Sequence, residues 1–277
     1  MKSSGFTLIE LLVVIAIISL VLALSVPSLH RAREETRAVT CQAHIKDLLV
    51  AFEMYEATHH SLPYGFAVMR RPAPPGGYLS NPTIDLPGWY WPNFIGAVNF
   101  KSLRDRRSLE CPAKRLDNPL LQADVLCGNY GVNRSLCRSD GDFGLYQEAF
   151  EGEPLSSSAV RNPVSTLLLV DSGYALISWW HVRDDPLMKE SARIADTAYV
   201  PGLSVNKERE FWQGQAGDAI AGRHPNKKVN VGFLDGHSER QSAEKLLVDK
   251  VGEAYPNRSP LWEPDQGWGT TIPTSAN

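Results

Sequence analysis

The chain opens with a short polar leader, Met1 to Gly5, and turns apolar from Phe6 to Leu24. A helix over that run, at ~1.5 Å per residue, comes close to the ~30 Å of a bilayer core. One carboxylate, Glu10, stands inside it. An ionised Glu in hydrocarbon costs on the order of a few kcal/mol, so it belongs there only with a partner or a task. Pro27 then predicts a kink or a break, because it removes a helix hydrogen bond and crowds the preceding turn. From Arg31 to about Thr58 there is no Gly or Pro, and Cys41, Ile45, Leu48, Phe52 and Tyr55 recur at steps of four, three, four and three. That spacing predicts a second helical stretch with one narrow buried stripe. The other side carries Arg31, Arg33, Glu34, Glu35, Arg37, Lys46, Asp47 and Glu53, the mixed charge of a solvated face or of contacts between subunits. Ser61, Pro63 and Gly65 end the helix.

Beyond it the pattern shortens. Residues 70 to 92 are rich in Pro and Gly and close on Trp89-Tyr90-Trp91-Pro92, a cluster suited to stacking on sugars but more simply explained by burial. Val164 to Asp171 reads as a buried strand stopped by Asp-Ser-Gly. Residues 181 to 222 form a long excursion with a short helix expected near Asn206 to Gln213. Val229, Val231 and Phe233 alternate with Asn230 and Gly232 before Asp235-Gly236, which predicts a hairpin with a two-residue type I′ turn. A short helix capped by Ser242 is expected over Ser242 to Val251, and an irregular tail from Trp262 to Asn277. The expected fold is α+β, a long N-terminal helix on a mainly antiparallel sheet. Its segments are a leader (1–5), an apolar helix (6–24), a helix continuation packed on the body (25–58) and a β-rich body (59–277).

Composition adds limits. With 277 residues, 43% hydrophobic and 21% charged, the chain can bury a real core, and a net charge of -3 gives no pull toward nucleic acid. Four cysteines, Cys41, Cys111, Cys127 and Cys137, lie beyond the apolar run. An even number in an exported body suggests two disulfides, against buried free thiols, and the spacings are not those of a paired CxxC zinc site. Cys41 lies on the buried stripe, so a bridging partner must come from the body, which favours Cys41 with Cys111 and Cys127 with Cys137. Asp140 and Asp142 flank Gly141 as a minimal calcium loop would, without the rest of an EF-hand, so a surface turn is preferred. His224, Asp235 and His237 invite a metal or His/Asp catalytic reading. With no third ligand or nucleophile placed by sequence, they are read as turn and strand residues, and no enzyme or cofactor is expected.

The hexapeptide Gly5-Phe6-Thr7-Leu8-Ile9-Glu10 resembles the processing site of type IV prepilins and type II secretion pseudopilins. A cleaved secretory signal or a plain anchor leaves Glu10 unexplained. The resemblance implies that a prepilin peptidase cuts between Gly5 and Phe6, that Phe6 is methylated, and that Glu10 pairs with the freed amine of a neighbouring subunit. The C-terminal stretch resembles a signature of one large group of such proteins, a His, about nine residues, then Asp-Gly; here ten residues separate His224 from Asp235-Gly236. Cys41 to Leu49, Cys111-Pro112 and Tyr130-Gly131-Val132-Asn133 resemble its internal landmarks, while the excursion at 181–222 and the tail after Tyr255 stay uncovered. Major pseudopilins as a class carry calcium in the body, which keeps Asp140 and Asp142 as weak candidates. The implied function is a structural subunit of a pilus-like or pseudopilus-like filament, in the inner membrane by a single pass with the body outside. Its implied partners are the peptidase and other pilin-like subunits. The alternative is a membrane-tethered module that binds a ligand such as a glycan.

Overall fold

The computed structural model describes residues 7–68, 79–99, 106–140, 150–184, 198–252 and 254–264. One helix dominates: α1 spans Leu8–His59, 52 residues, which at ~1.5 Å per residue is about 78 Å. It starts where Thr7 and Glu10 cap each other. The Thr7 hydroxyl oxygen accepts from the Glu10 N–H at 3.3 Å, and the Glu10 carboxylate accepts from the Thr7 N–H at 2.8 Å and the Thr7 hydroxyl at 2.7 Å. This reciprocal pair satisfies backbone donors that a helix start leaves open. The helix ends at His60, whose φ of 61° is left-handed.

Pro27 does not break α1. The proline removes one donor, and Ser25, Val26 and Ser28 beside it are weak helix formers. The Leu- and Ala-rich turns before them and the turn at residues 31–35 after them hold the helix on both sides of that local loss.

The two halves of α1 meet different surroundings. Its buried residues are Ala38, Cys41, Ile45, Leu48, Leu49, Ala51, Phe52 and Tyr55, so the whole predicted stripe is inside. Every described residue from Thr7 to Arg33 is exposed. Part of the charged face grips the body instead of facing water: Glu35 accepts from Arg240 at 2.6 Å, Glu34 from Arg115, and Lys46 donates to the carbonyl of Gly236.

Beneath the helix lies a five-stranded sheet of β3 (Tyr130–Asn133), β5 (Leu167–Asp171), β6 (Leu176–Ile177), β8 (Lys228–Phe233) and β9 (Ser238–Ser242), in the order β6-β3-β5-β8-β9. All neighbours are antiparallel except β3 with β6. A smaller sheet of β1 (Phe66–Val68), β2 (Gly88–Tyr90) and β4 (Ser139–Asp140) flanks it, and β7 (Arg183–Asp184) pairs in parallel with β10 (Val248–Asp249). Three short helices complete the body: α2 (Trp91–Asn99), α3 (Pro119–Ala123) and α4 (Ala216–Ala221). The fold is α+β with mixed, mostly antiparallel sheets. Trp91 of α2 packs on Phe52 of α1 with ring centroids 5.5 Å apart and donates to the Ala175 carbonyl at 2.9 Å.

The alternation in β8 is real, but both faces are buried. Asn230 donates to the Ala38 carbonyl at 3.3 Å and Gly232 lies against Ile45 and Leu49, so the small and polar side faces α1 while Val229 and Val231 are buried on the other. The turn between β8 and β9 differs from the two-residue form. The Phe233 carbonyl accepts from the Gly236 N–H at 3.0 Å, the Phe233 N–H donates to His237 at 2.9 Å, and Gly236 has φ 84°. This is a three-residue loop closed by a left-handed glycine. The extra residue, Leu234, has its N–H bound to the Thr166 carbonyl at 3.0 Å, which fixes the longer loop.

Other expectations shift locally. The strand begins at Leu167 because Pro163–Ser165 forms a 3-10 turn. The helices expected near Asn206 and after Ser242 are 3-10 turns at Ser204–Glu208 and Ala243–Leu246. Trp262, placed in the irregular tail, is fully buried and donates to the Leu246 carbonyl at 3.0 Å.

Candidate functional site

Two regions carry chemistry, the exposed half of α1 and a polar cluster under its buried half. In the first, leucines, valines and isoleucines from Leu8 to Leu29 stand open, with Leu8 at 79% and Leu24 at 72% of full exposure. A stretch within α1 is long and apolar enough to cross a membrane, and none of it is buried in the body. Glu10 is the sole carboxylate between Thr7 and Arg33, and its oxygens rest on Thr7 alone among described residues. Gly5 and Phe6 lie outside the described residues.

The second region is built from segments distant in sequence. β5 ends in Asp171, whose Oδ2 accepts from the Asn230 N–H at 2.6 Å and lies 3.1 Å from His224 Nε2. Asn230 Nδ2 is 3.0 Å from the same nitrogen. Cys41 from α1 and Cys111 from the loop before α3 meet His224, the ligand-capable atoms of all three lying within 4.8 Å of one another. Next to it, the Arg223 guanidinium donates to Asp218 at 2.6–3.1 Å and to the carbonyls of Asn129 and Ser172 at 2.9 Å, while the Tyr199 hydroxyl donates to Asp218 at 2.9 Å. Arg223 and Asp218 are 1% exposed, a charge pair that survives burial because its hydrogen bonds are filled.

Ionisation follows the packing. Burial opposes a charged His224, but the Asp171 carboxylate and the Cys111 sulfur outweigh it and push the imidazole up to about 9. Burial likewise opposes a Cys111 thiolate, and hydrogen bonds from Cys41 and His224 bring it down to about 6. Cys41, sharing a hydrogen bond with Cys111 and buried, is raised.

The predicted site residues separate. All four cysteines are buried and unbridged in the structure: Cys41 and Cys111, the pair preferred for a bridge, lie side by side, and Cys127 lies with Asp85 and Asp124. His224 is inside the cluster, whereas Asp235 stands at the hairpin turn, where its carboxylate accepts from the His237 ring at 2.5 Å. The two ends of the C-terminal signature thus do different work. Asp140 sits in β4, paired with Ala67, and Asp142 lies outside the described residues. Of the aromatic cluster, Tyr90 and Trp91 are buried, while Trp89 is half-buried with its ring 5.3 Å from that of Phe94. Local sequence pattern does not by itself single out Asp171, Asn230, Arg223 or Asp218 as site residues. The adjacent Arg223-His224, with an Asp and an Asn ending or interrupting apolar strands, was the available signal.

Residues 1–26 match the prokaryotic N-terminal methylation motif, and residues 30–92 match the family described as "Protein of unknown function (DUF1559)". The chain is similar to competence protein ComGC of Halalkalibacterium halodurans, 34% identical over 68 residues that make up 24% of this chain and 67% of that protein. This chain belongs to the prepilin-like proteins. A second relative of this prepilin-like chain is the type IV wide pilus major component PilA4 of Thermus thermophilus, 41% identical over 60 residues, 22% of this chain and 46% of that protein. The chain therefore spans about two thirds of one relative and about half of the other. Neither is named as an enzyme. No solved structure matches. Both family matches end before Asn93, so the resemblance at His224 and Asp235-Gly236 rests on the sequence pattern alone.

Proposed function

We propose that this prepilin-like chain is a structural subunit of a type IV pilus-like or type II secretion pseudopilus-like filament. A prepilin peptidase trims it between Gly5 and Phe6, it crosses the inner membrane once with its body on the extracytoplasmic side, and it assembles through α1. The observation that carries this reading is the exposed apolar half of α1 with one carboxylate near its start. Such a surface stays out of water only in lipid or against other helices. The methylation-motif match and the names of the two relatives support the same reading. Before assembly, Thr7 satisfies Glu10 locally. In a filament the freed Phe6 amine of a neighbouring subunit takes that place, and a misaligned subunit leaves its charge unpaired.

The test is to shear cells that produce the full chain, sediment the released material and analyse it by mass spectrometry. A sedimenting chain that begins with methylated Phe6 is expected. A chain that begins at Met1 or Val26, or a mature chain found only in the membrane with none in the sheared pellet, overturns the proposal.

A further inference from the structure

We propose that Cys41, Cys111 and His224 form a site for a soft divalent cation of the zinc class. Three segments far apart in sequence deliver the donors: the buried stripe of α1, the loop before α3 and the turn before β8. The donor atoms lie within 4.8 Å of one another, and the three residues are 0%, 3% and 4% exposed.

The second observation is the state of the imidazole. His224 Nε2 faces the Asp171 carboxylate at 3.1 Å, while Nδ1 is buried with no oxygen or nitrogen partner, the Cys111 sulfur being the ring's remaining neighbour. A buried ring nitrogen without an oxygen or nitrogen partner is costly and uncommon. A carboxylate holding one nitrogen of a His whose other nitrogen is open is the arrangement that orients metal-bound imidazoles. Two sulfurs and one imidazole select zinc-like ions over calcium or magnesium, which prefer oxygen. Binding releases the protons held by the Cys41 thiol and the imidazole, so that two thiolates and a neutral His224 face the cation. A Cys41–Cys111 disulfide would use the same sulfurs but leave Nδ1 unpartnered. The cation would pin α1 to the body at a point reached from two loops, whether or not the exposed half assembles.

The experiment uses the full chain extracted from membranes in detergent, without chelator or reductant. Stoichiometric zinc is expected by elemental analysis. It is lost in Cys111→Ser and in His224→Gln and kept in Cys137→Ala, whose thiol lies outside the cluster. Cobalt added to the metal-free chain should give sulfur-to-cobalt charge-transfer absorption. Should the variants fail to fold, returning zinc to the chelator-treated native chain should raise its melting temperature. A native chain with no zinc and no response to zinc or cobalt overturns the site. So does a disulfide-linked Cys41–Cys111 peptide pair as the main species, or zinc unchanged in both folded variants.

Discussion

Gly232 of β8 lies so close to Ile45 of α1 that a β-carbon on the glycine would stand 2.8 Å from Ile45 Cγ2. The same β-carbon would meet Leu49 at 3.0 Å, so α1 rests on the sheet where a side chain is missing.

Gly232→Ala should therefore destabilise the body. Overpacking a closed interface costs about 1–3 kcal/mol. Gly217→Ala in α4 is the control, because its β-carbon would meet nothing closer than 3.7 Å, and Ala is the better helix former. Denaturant melts of the detergent-extracted chain should show a lowered midpoint for the first and none for the second. Equal midpoints for Gly232→Ala and the native chain would show that the helix does not seat there.

The helix stripe was legible because period alone decides it: Cys41, Ile45, Leu48, Phe52 and Tyr55 recur as a helix face does, and all are buried. The exposed carboxylate at Glu10 was equally plain, since a charge in an apolar run has few explanations. What lies under the stripe was not legible. Asn230 and Gly232 read as the weaker face of a hairpin, yet they are the face the helix covers. The meeting of Cys111 and His224 depends on β3, β5 and β8 lying side by side, with Cys111 tied to Asn129 just before β3 and His224 to Asp171 and Asn230, which local pattern does not encode. The alternation marks the hairpin but not the length of its loop, which gains one residue because Leu234 is held by Thr166 of another segment.

Arg223 and Asp218 should prove the most sensitive polar pair in the body. Both are fully buried and their atoms meet at 2.6 Å. Removing one partner strands the other charge, a loss of about 3–5 kcal/mol. Arg223→Met alone should reduce the folded fraction sharply, and combining it with Asp218→Leu should recover part of the loss, since no charge is then left unpaired. Thermal melts of the single and double variants check this, and a double variant no better than Arg223→Met would show that the guanidinium contacts to Asn129 and Ser172 dominate instead.

Glu10→Ala separates insertion from assembly. Removing the carboxylate lowers the cost of placing α1 in lipid, so membrane-fraction levels should hold or rise. Sedimentable filament should fall to background, because the residue that fixes register is gone. Thr7→Ala removes the capping partner but keeps the carboxylate, at a cost of about 0.5–2 kcal/mol to the helix start, and should still assemble. Normal filament from Glu10→Ala would remove Glu10 from the assembly mechanism.

Asp85 gives the body a pH dependence of definite sign. Its carboxylate accepts from the Asn81 N–H at 2.7 Å and the Tyr174 hydroxyl at 2.8 Å. Burial, then the nearby Asp124 charge, nevertheless raise it from the ordinary 3.8 to about 7. The folded chain thus holds this proton more tightly than the unfolded chain. Between those two values the unfolded state has released the proton and the folded state has not, so stability falls as pH rises through the window and is level above it. Asp85→Asn removes the titration while keeping an acceptor for the Asn81 N–H; its amide nitrogen replaces the oxygen that Tyr174 donates to, and the Tyr174 hydroxyl keeps Tyr90 as its partner. The melting temperature of the variant minus that of the native chain should therefore grow between about pH 5 and about pH 8. A difference that stays constant, or shrinks, across that range would mean that Asp85 is already ionised in the folded body.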